Sequence, residues 1–383
     1  MYRSELEKIY FQALYKVKAP SLINDNISIN GSTITIVKNE YLLKNDARFF
    51  VFGVGKAAYE MAKECEVILK DKISGGVVIS TSVGALQYME HFRSTHPLVS
   101  KKSIEAATIL LEAVEKLNEN DFFVFLLSGG ASAMIEKPIS GLRLEDFTKI
   151  SSALLTSGID IKALNTVRKS ISEIKGGKLA NQIKAKGEVL VLSDVIGDDL
   201  NTIGSAPMNN GKFAHHIIGN NEIALNRAKE YISPKVDIVE IITTTLEVDS
   251  ISASAFISSE IKKYDKKYDS FCLLFGGETT TIVNGDGYGG RNQELALRLL
   301  LANCVSEKIA ILSAGSDGID GRSDATGAFI DFEIYKKIEQ KKLYPETYLK
   351  NSDSNTFFKI LEYDFVTGIT GTNVMDFIII LKK

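Results

Sequence analysis

A chain of 383 residues, with 45 Lys plus Arg against 48 Asp plus Glu and a net charge of -3, is too long for one typical core and suits two α/β domains. Its slightly acidic balance excludes a nucleic-acid binder, which would carry a basic domain or stripe. The isolated cysteines Cys65, Cys272 and Cys304 make no CxxC, and the histidines His91, His96, His215 and His216 make no HExxH, so neither a disulfide framework nor a zinc site is indicated and a reducing cytoplasm fits.

From the N-terminus, Leu6, Ile9, Tyr10, Ala13, Leu14 and Val17 fall on one helical stripe interrupted by charges, which reads as an amphipathic helix and not as a signal peptide. No uncharged apolar run approaches the about 20 residues that cross a bilayer, so no membrane span is expected. Residues 25–38 alternate around Asn30-Gly31 as a hairpin decorating the first domain. Residues 48–63 then give a buried strand, a glycine turn and a helix, the opening unit of a doubly wound sheet. Gly53-x-Gly55-x-x-Ala58 satisfies the dinucleotide fingerprint, but the next strand closes on Ser80-Thr81-Ser82 and offers no ribose-binding carboxylate. Lys56, at the start of that helix, works against the helix dipole; it is either the partner of an anionic ligand or a solvated lysine on an exposed turn.

His96-Pro97 reads as a loop, with His96 a local hydrogen-bonder, and residues 104–117 form an ordinary amphipathic helix. Residues 121–134 repeat the strand and glycine turn, and Ser128, Gly129, Gly130 and Ser132 make an anion nest without the GK[ST] of a P-loop. Arg168, Lys169, Lys175 and Lys178 crowd residues 164–180; Arg168 and Lys175, seven apart, are expected on one helix face, which in isolation is usually a solvated one. Asp194 ends the strand opening at Glu188, where an acid is placed to hold Mg²⁺ or accept a proton, while Asp199 or a neighbour suits a helix cap.

Residues 228–269 are Lys-rich and less patterned, and the domain change is placed there, giving an N-terminal domain of 1–235 and a C-terminal one of 236–383. An apolar strand then ends in Gly276-Gly277-Glu278, followed by a loop with Gly285, Gly287, Gly289 and Gly290 and a helix that opens at Arg291. Such a loop can turn its amides toward an oxyanion or phosphate; the alternative is a βα turn whose glycines serve geometry alone. Asp317 and Asp320 stand in a DGxDG turn, as metal or hydroxyl ligands or as Asx-turn formers. One more glycine and hydroxyl turn precedes the last apolar strand.

Taken together, these segments resemble the class II glycerate kinase family, whose C-terminal domain is of MOFRL type. The resemblance is carried by GVGKAA at 53–58, LLSGGASAM at 126–134, NTVRKSISEIKGGKLA at 165–180, LSDVIGDD at 192–199, GGE at 276–278, GYGGRNQE at 287–294, SDGIDG at 316–321, DSN at 353–355 and TGTNVMD at 370–376, in the family's order. It implies two α/β domains, a Rossmann-like N-terminal domain and a smaller MOFRL domain, with the active site in the cleft between them, and ATP- and Mg²⁺-dependent phosphorylation of D-glycerate, usually at the 2-hydroxyl. It further implies that Lys56 and Arg291 are essential, gripping the substrate carboxylate and the transferring phosphoryl group. Ser128, Gly129, Gly130 and Ser132 would meet substrate or phosphate oxygens. Asp194, with Glu278 and Asp317 behind it, would hold Mg²⁺ or orient the hydroxyl, and Arg168, Lys175, Gly176, Gly177, Asp317 and Asn373 would serve the nucleotide. Three family patterns are altered here, at Thr95 to Val99, Ser205 to Met208 and Gly368 to Asp376, which leaves the acceptor range open to acids other than glycerate. The competing readings are a nicotinamide-dependent hydroxypyruvate reductase, which lacks its ribose carboxylate and a catalytic His with an acidic partner, and a non-catalytic sugar-acid sensor. A homodimer enters only as a general prior for soluble enzymes.

Overall fold

The computed structural model describes residues 2–44, 46–156 and 161–383. They form two compact units: residues 18–219, and the N-terminal helix together with residues 220–383. Among the described residues no helix is long and apolar enough to cross a membrane.

The first unit is built on a parallel sheet with strands in the spatial order Ala214–Gly219, Lys186–Leu192, Phe122–Ser128, Phe49–Val54, Val77–Ser80, Glu90–Arg93, and the short Ile73–Gly75 also pairs with Phe49–Val54. Along the chain this is the doubly wound order 3-2-1-4-5-6. The apolar runs explain it: Phe52, Val54, Phe123, Phe125, Leu127, Val189 and Val191 are buried in one cluster with helix residues such as Leu110, Val114 and Met134, as strands covered on both faces must be. The strand order reverses between Phe49–Val54 and Phe122–Ser128, and ligands of such sheets bind beyond the carboxyl ends at that point. The expected hairpin is present but continues into a third strand, Asn39–Leu42. Asn39 and Tyr41 of that strand hydrogen-bond the buried Glu188 carboxylate, which ties the meander to this unit.

The second unit has a six-stranded mixed sheet in the order Ile238–Leu246, Phe271–Gly277, Asp376–Lys382, Ile309–Gly315, Gly327–Ile330, Asp364–Phe365. The first pair is parallel and the rest antiparallel. The last strand of the chain is therefore central, and every residue of it is buried. Residues 228–269, weakly patterned in sequence, are ordered: helix Asn221–Ile232, strand Ile238–Leu246 and helix Ser250–Asp265. The last helix hides its signal because serines fill much of it and its buried apolar residues are only Ala253, Ile257 and Ile261 at four-residue spacing. Asp249 caps it, accepting from the Ile251 and Ser252 amides at 2.9 Å each.

The unit boundary at 219/220 departs from the expected 235/236. Helix Tyr2–Lys16 packs against Asn221–Ile232 and the strands Ile309–Gly315 and Asp376–Lys382, burying Leu6, Ile9, Tyr10, Ala13 and Leu14. The Tyr10 hydroxyl donates to the Gly315 carbonyl at 2.8 Å. The N-terminal helix thus belongs with the C-terminal sheet, a long-range pairing that periodicity alone does not reveal.

Candidate active site

At the switch point of the first unit, the glycine turns 53–58 and 128–132 are locked together. The Lys56 amide donates to the Gly129 carbonyl at 2.9 Å, and the Ala57 amide to Ser128 Oγ at 3.1 Å. Gly55, at φ +134°, leaves space for the second turn and for nothing else: a Cβ there would lie 2.2 Å from Ser128 Oγ. With the Ala58 amide held by the Gly55 carbonyl at 3.2 Å, the fingerprint turn has no amide left at residues 56–58 for a pyrophosphate. Ser80, where a ribose carboxylate would stand, instead shares a 2.9 Å hydrogen bond with His91 Nε2.

The lock aims Lys56 across the second turn. Lys56 precedes helix Ala58–Leu69 and is exposed. A Cβ on Gly130 would sit 3.2 Å from its Cγ and 3.0 Å from His96 Cδ2. Asp194, just past the strand Lys186–Leu192, presses its carboxylate onto the other glycine so closely that a Cβ on Gly129 would lie 1.8 Å from Oδ2. Among the described residues no carboxylate pairs with the Lys56 ammonium at ion-pair distance. Burial raises the Asp194 carboxyl above its ordinary range and Lys56 opposes the rise. His96 is pushed down, first by burial and then by Lys56, so its imidazole is neutral near pH 7. Beside them opens a pocket of about 230 Å³, whose lining includes His96, Gly130, Ser132 and Arg168.

In the second unit, helix Arg291–Leu301 begins at a position held from three sides. Asp320 accepts from the Asn292 and Gln293 amides at 3.0 and 2.8 Å. Arg291 forks onto Asp376, with Nε 2.5 Å from Oδ2 and Nη2 2.9 Å from Oδ1, and its Nη1 lies 2.7 Å from Glu278 Oε1. Burial alone would lower the guanidinium, but Asp376 and then Glu278 outweigh it and hold it above its ordinary value. The Asn292 and Gln293 amides of the first helical turn are therefore occupied by Asp320. The loop glycines serve packing, since a Cβ on Gly290 would lie 2.3 Å from Asp320 Oδ1.

Residues 5–236 match the family described as a domain of unknown function, DUF4147, and residues 271–376 match the MOFRL family. A D-glycerate 2-kinase of Thermotoga maritima is 38% identical, over 87% of this chain and 90% of its own. The chain belongs to the glycerate 2-kinase family. A glycerate 2-kinase of Picrophilus torridus is 33% identical over 90% of this chain and 91% of its own. The crystal structure of a glycerate kinase from Thermotoga maritima superposes with a TM-score of 0.89 at 34% identity, covering 100% of this chain and 99% of that one.

Within this glycerate kinase fold the expected site residues separate. Lys56, Asp194, Gly129, Gly130, Ser132 and Arg168 gather at one end of the first sheet, although Ser132 is already bonded to Ser205 Oγ at 2.7 Å and Ser128 is buried holding Ala57. Lys175 does not fit the polyphosphate role expected of it. It is buried with Nζ 2.5 Å from Glu136 Oε2, and Ser172 Oγ bonds the other oxygen at 2.6 Å. Nor do Lys175 and Arg168 share a helix, because Ile161–Ser170 ends between them. Gly176 and Gly177 cannot offer amides, which donate to the Ser205 and Ala206 carbonyls at 3.0 and 2.6 Å. Asp199 is a turn cap, accepting from the Asn201 amide at 3.0 Å. Asp317 accepts from the Ile319 amide at 3.2 Å, and Asn373 Oδ1 from the Met375 amide at 3.0 Å, which places both in turns. Glu278 is paired with Arg291, and among the described residues no group of three or more His, Cys, Asp or Glu side chains is set to hold a metal. Sequence reasoning missed Asp376 and Glu136; the signal for Asp376 was a lone acid opening the apolar run Phe377 to Leu381.

Proposed function

We propose that this protein is a kinase that transfers the γ-phosphoryl group of ATP to D-glycerate, at the 2-hydroxyl, giving 2-phosphoglycerate and ADP. The observation that carries this reading is the exposed Lys56, without an ion-pair partner among the described residues, locked beside the Asp194 carboxylate at the switch point of a doubly wound sheet. Phosphoryl transfer is mainly positioning and charge neutralisation, and an uncommitted ammonium beside a turn of small residues supplies both. In the step, the 2-oxygen bonds the γ-phosphorus, the bond from that phosphorus to the bridging oxygen breaks, ADP leaves, and the hydroxyl proton passes to Asp194. A carboxyl raised by burial is a better proton acceptor than an ordinary one, provided it is ionised at the working pH.

A divalent ion fits this donor set sparingly, as Mg²⁺ does when one or two carboxylates and substrate phosphates hold it. Asp194 would hold it only where another group takes the hydroxyl proton, as an alternative to the role above; Glu278, paired with Arg291, is the weaker candidate. Bound with the triphosphate, the ion supplies neutralisation of the transferring charge. Arg291, aligned by Asp376, is proposed as a second cation essential to the reaction. The enzyme is proposed to act in the cytoplasm on small molecules.

The test incubates the purified protein with D-glycerate and Mg-ATP, and separately with hydroxypyruvate and NADPH, and separates 2- from 3-phosphoglycerate. ADP formed in step with 2-phosphoglycerate is the expected result. NADPH consumption without ADP would overturn the kinase reading, and 3-phosphoglycerate would overturn the position.

A further inference from the structure

We propose that the pocket beside Lys56 is a nucleobase site, in which the purine of ATP lies against Pro97, Leu98, Val99 and Phe147 and its polar edge meets Ser151; this rests on the kinase reading above. The pocket has two kinds of wall. Ser132, Arg168 and Lys175 are its polar and charged lining residues, while Pro97, Leu98, Val99 and Phe147 are apolar. D-glycerate carries oxygen on every carbon and has no apolar face to bury against the second wall. ATP is the reactant of the pair that does, and flat bases are held by stacking and apolar contact wherever proteins bind them without reading a sequence.

Three further observations favour the base. Leu98 is 72% exposed, an apolar side chain left facing solvent at the pocket rim. Ser151 Oγ, on helix Leu144–Thr156 and lining the same pocket, is buried with no hydrogen-bond partner among the described residues. A buried unpaired hydroxyl is costly unless a ligand completes it, and a base edge presents both donors and acceptors. Arg168 also lines the pocket and can supply the cation that the phosphates of a bound nucleotide need, whereas Lys175, lining it too, is neutralised by Glu136. Of the three residues, Ser151 discriminates best. In the free protein its hydroxyl stabilises nothing, so its removal should be silent until nucleotide binds.

The experiment measures steady-state kinetics with D-glycerate and Mg-ATP, calorimetric binding of ADP and of inorganic tripolyphosphate, and thermal unfolding, for the full chain and for Ser151→Ala and Leu98→Glu. Ser151→Ala is expected to unfold at the wild-type temperature or above it, while raising the KM for ATP and the Kd for ADP about five- to tenfold, the scale of one hydrogen bond. Leu98→Glu, at an exposed position, should weaken both by at least as much. The KM for D-glycerate and the affinity for tripolyphosphate should stay within about twofold, because neither ligand has a base. Unchanged ATP and ADP values in both variants would overturn the proposal, as would a raised KM for D-glycerate alone, which would hand the apolar wall to the acceptor. A wild-type protein that binds ADP with this variant sensitivity yet leaves D-glycerate untouched would keep the base site and sink the glycerate reading; one that does not bind ADP sinks both.

Discussion

Lys56 is the residue on which the proposed reaction depends most directly. Its ammonium has no ion-pair partner among the described residues and its side chain is exposed, so Lys56→Met should leave stability within about 0.5 kcal/mol of wild type. Activity should fall by roughly 10² to 10³ in kcat, the scale seen when one preorganised electrostatic group is removed. Equal losses in both measurements would mean that Lys56 holds the fold and not the substrate. Asp194 adds a pH dependence with a definite sign. Burial raises its folded pKa, the ionised form is the one that accepts a proton, and so activity rises with pH on an acid limb lying above the usual carboxylate range. Asp194→Asn should abolish that limb and most of the turnover; a limb that persists unchanged in the variant belongs to another group. Both residues were legible in the sequence, Lys56 as a cation against a helix dipole and Asp194 as a strand-end acid. Lys175 was misread for a physical reason. A one-dimensional cluster of four cations looks solvated or ligand-facing, and its buried counter-charge, Glu136, stands 39 positions away in sequence.

At the scale of elements, the strand-and-glycine-turn units were readable because buried parallel strands are apolar throughout, but the partners of each turn were not. The fingerprint turn 53–58 satisfies its amides with the turn 128–132, and the start of helix Arg291–Leu301 satisfies its own with Asp320. In both places glycine makes room for closely packed protein atoms. Gly129→Ala tests the first lock: the added Cβ meets Asp194 Oδ2 at 1.8 Å, so the carboxylate must move, and turnover should drop at least about tenfold even if the unfolding temperature falls only slightly. Wild-type turnover in that variant would show that the contact has no bearing on the chemistry. Asp320 tests the second. Burial pushes its carboxyl up to about 7 against two donated amides. A folded pKa above the unfolded one means that the folded state holds a proton the unfolded chain lacks between about pH 4 and 7, so Asp320 lowers stability as pH climbs through that window. Asp320→Asn should remove this slope from the pH profile of the unfolding temperature; an identical slope would assign it to other groups.

For the whole molecule, the doubly wound order of the first sheet follows from the sequence, since successive strand, turn and helix units leave few right-handed ways to wind. The division of the chain does not. Helix Tyr2–Lys16 opens the sequence yet covers the C-terminal sheet, because its stripe of Leu6, Ile9, Tyr10, Ala13 and Leu14 finds its partners in helix Asn221–Ile232 and in strands formed by the last residues. Amphipathic periodicity says that a face must be buried and is silent about where. Leu6→Ala combined with Ile9→Ala deletes two fully buried side chains, each worth about 2–5 kcal/mol, and should open the structure selectively. Native-state hydrogen exchange reads the selectivity: amides of Ile309–Gly315 and Asp376–Lys382 should lose protection, while those of Phe49–Val54 and Phe122–Ser128 keep theirs. If protection were lost first in Phe49–Val54, the N-terminal helix would be stabilising the nucleotide-fingerprint sheet, and a division at 235/236 would describe the energetics better than the one at 219/220.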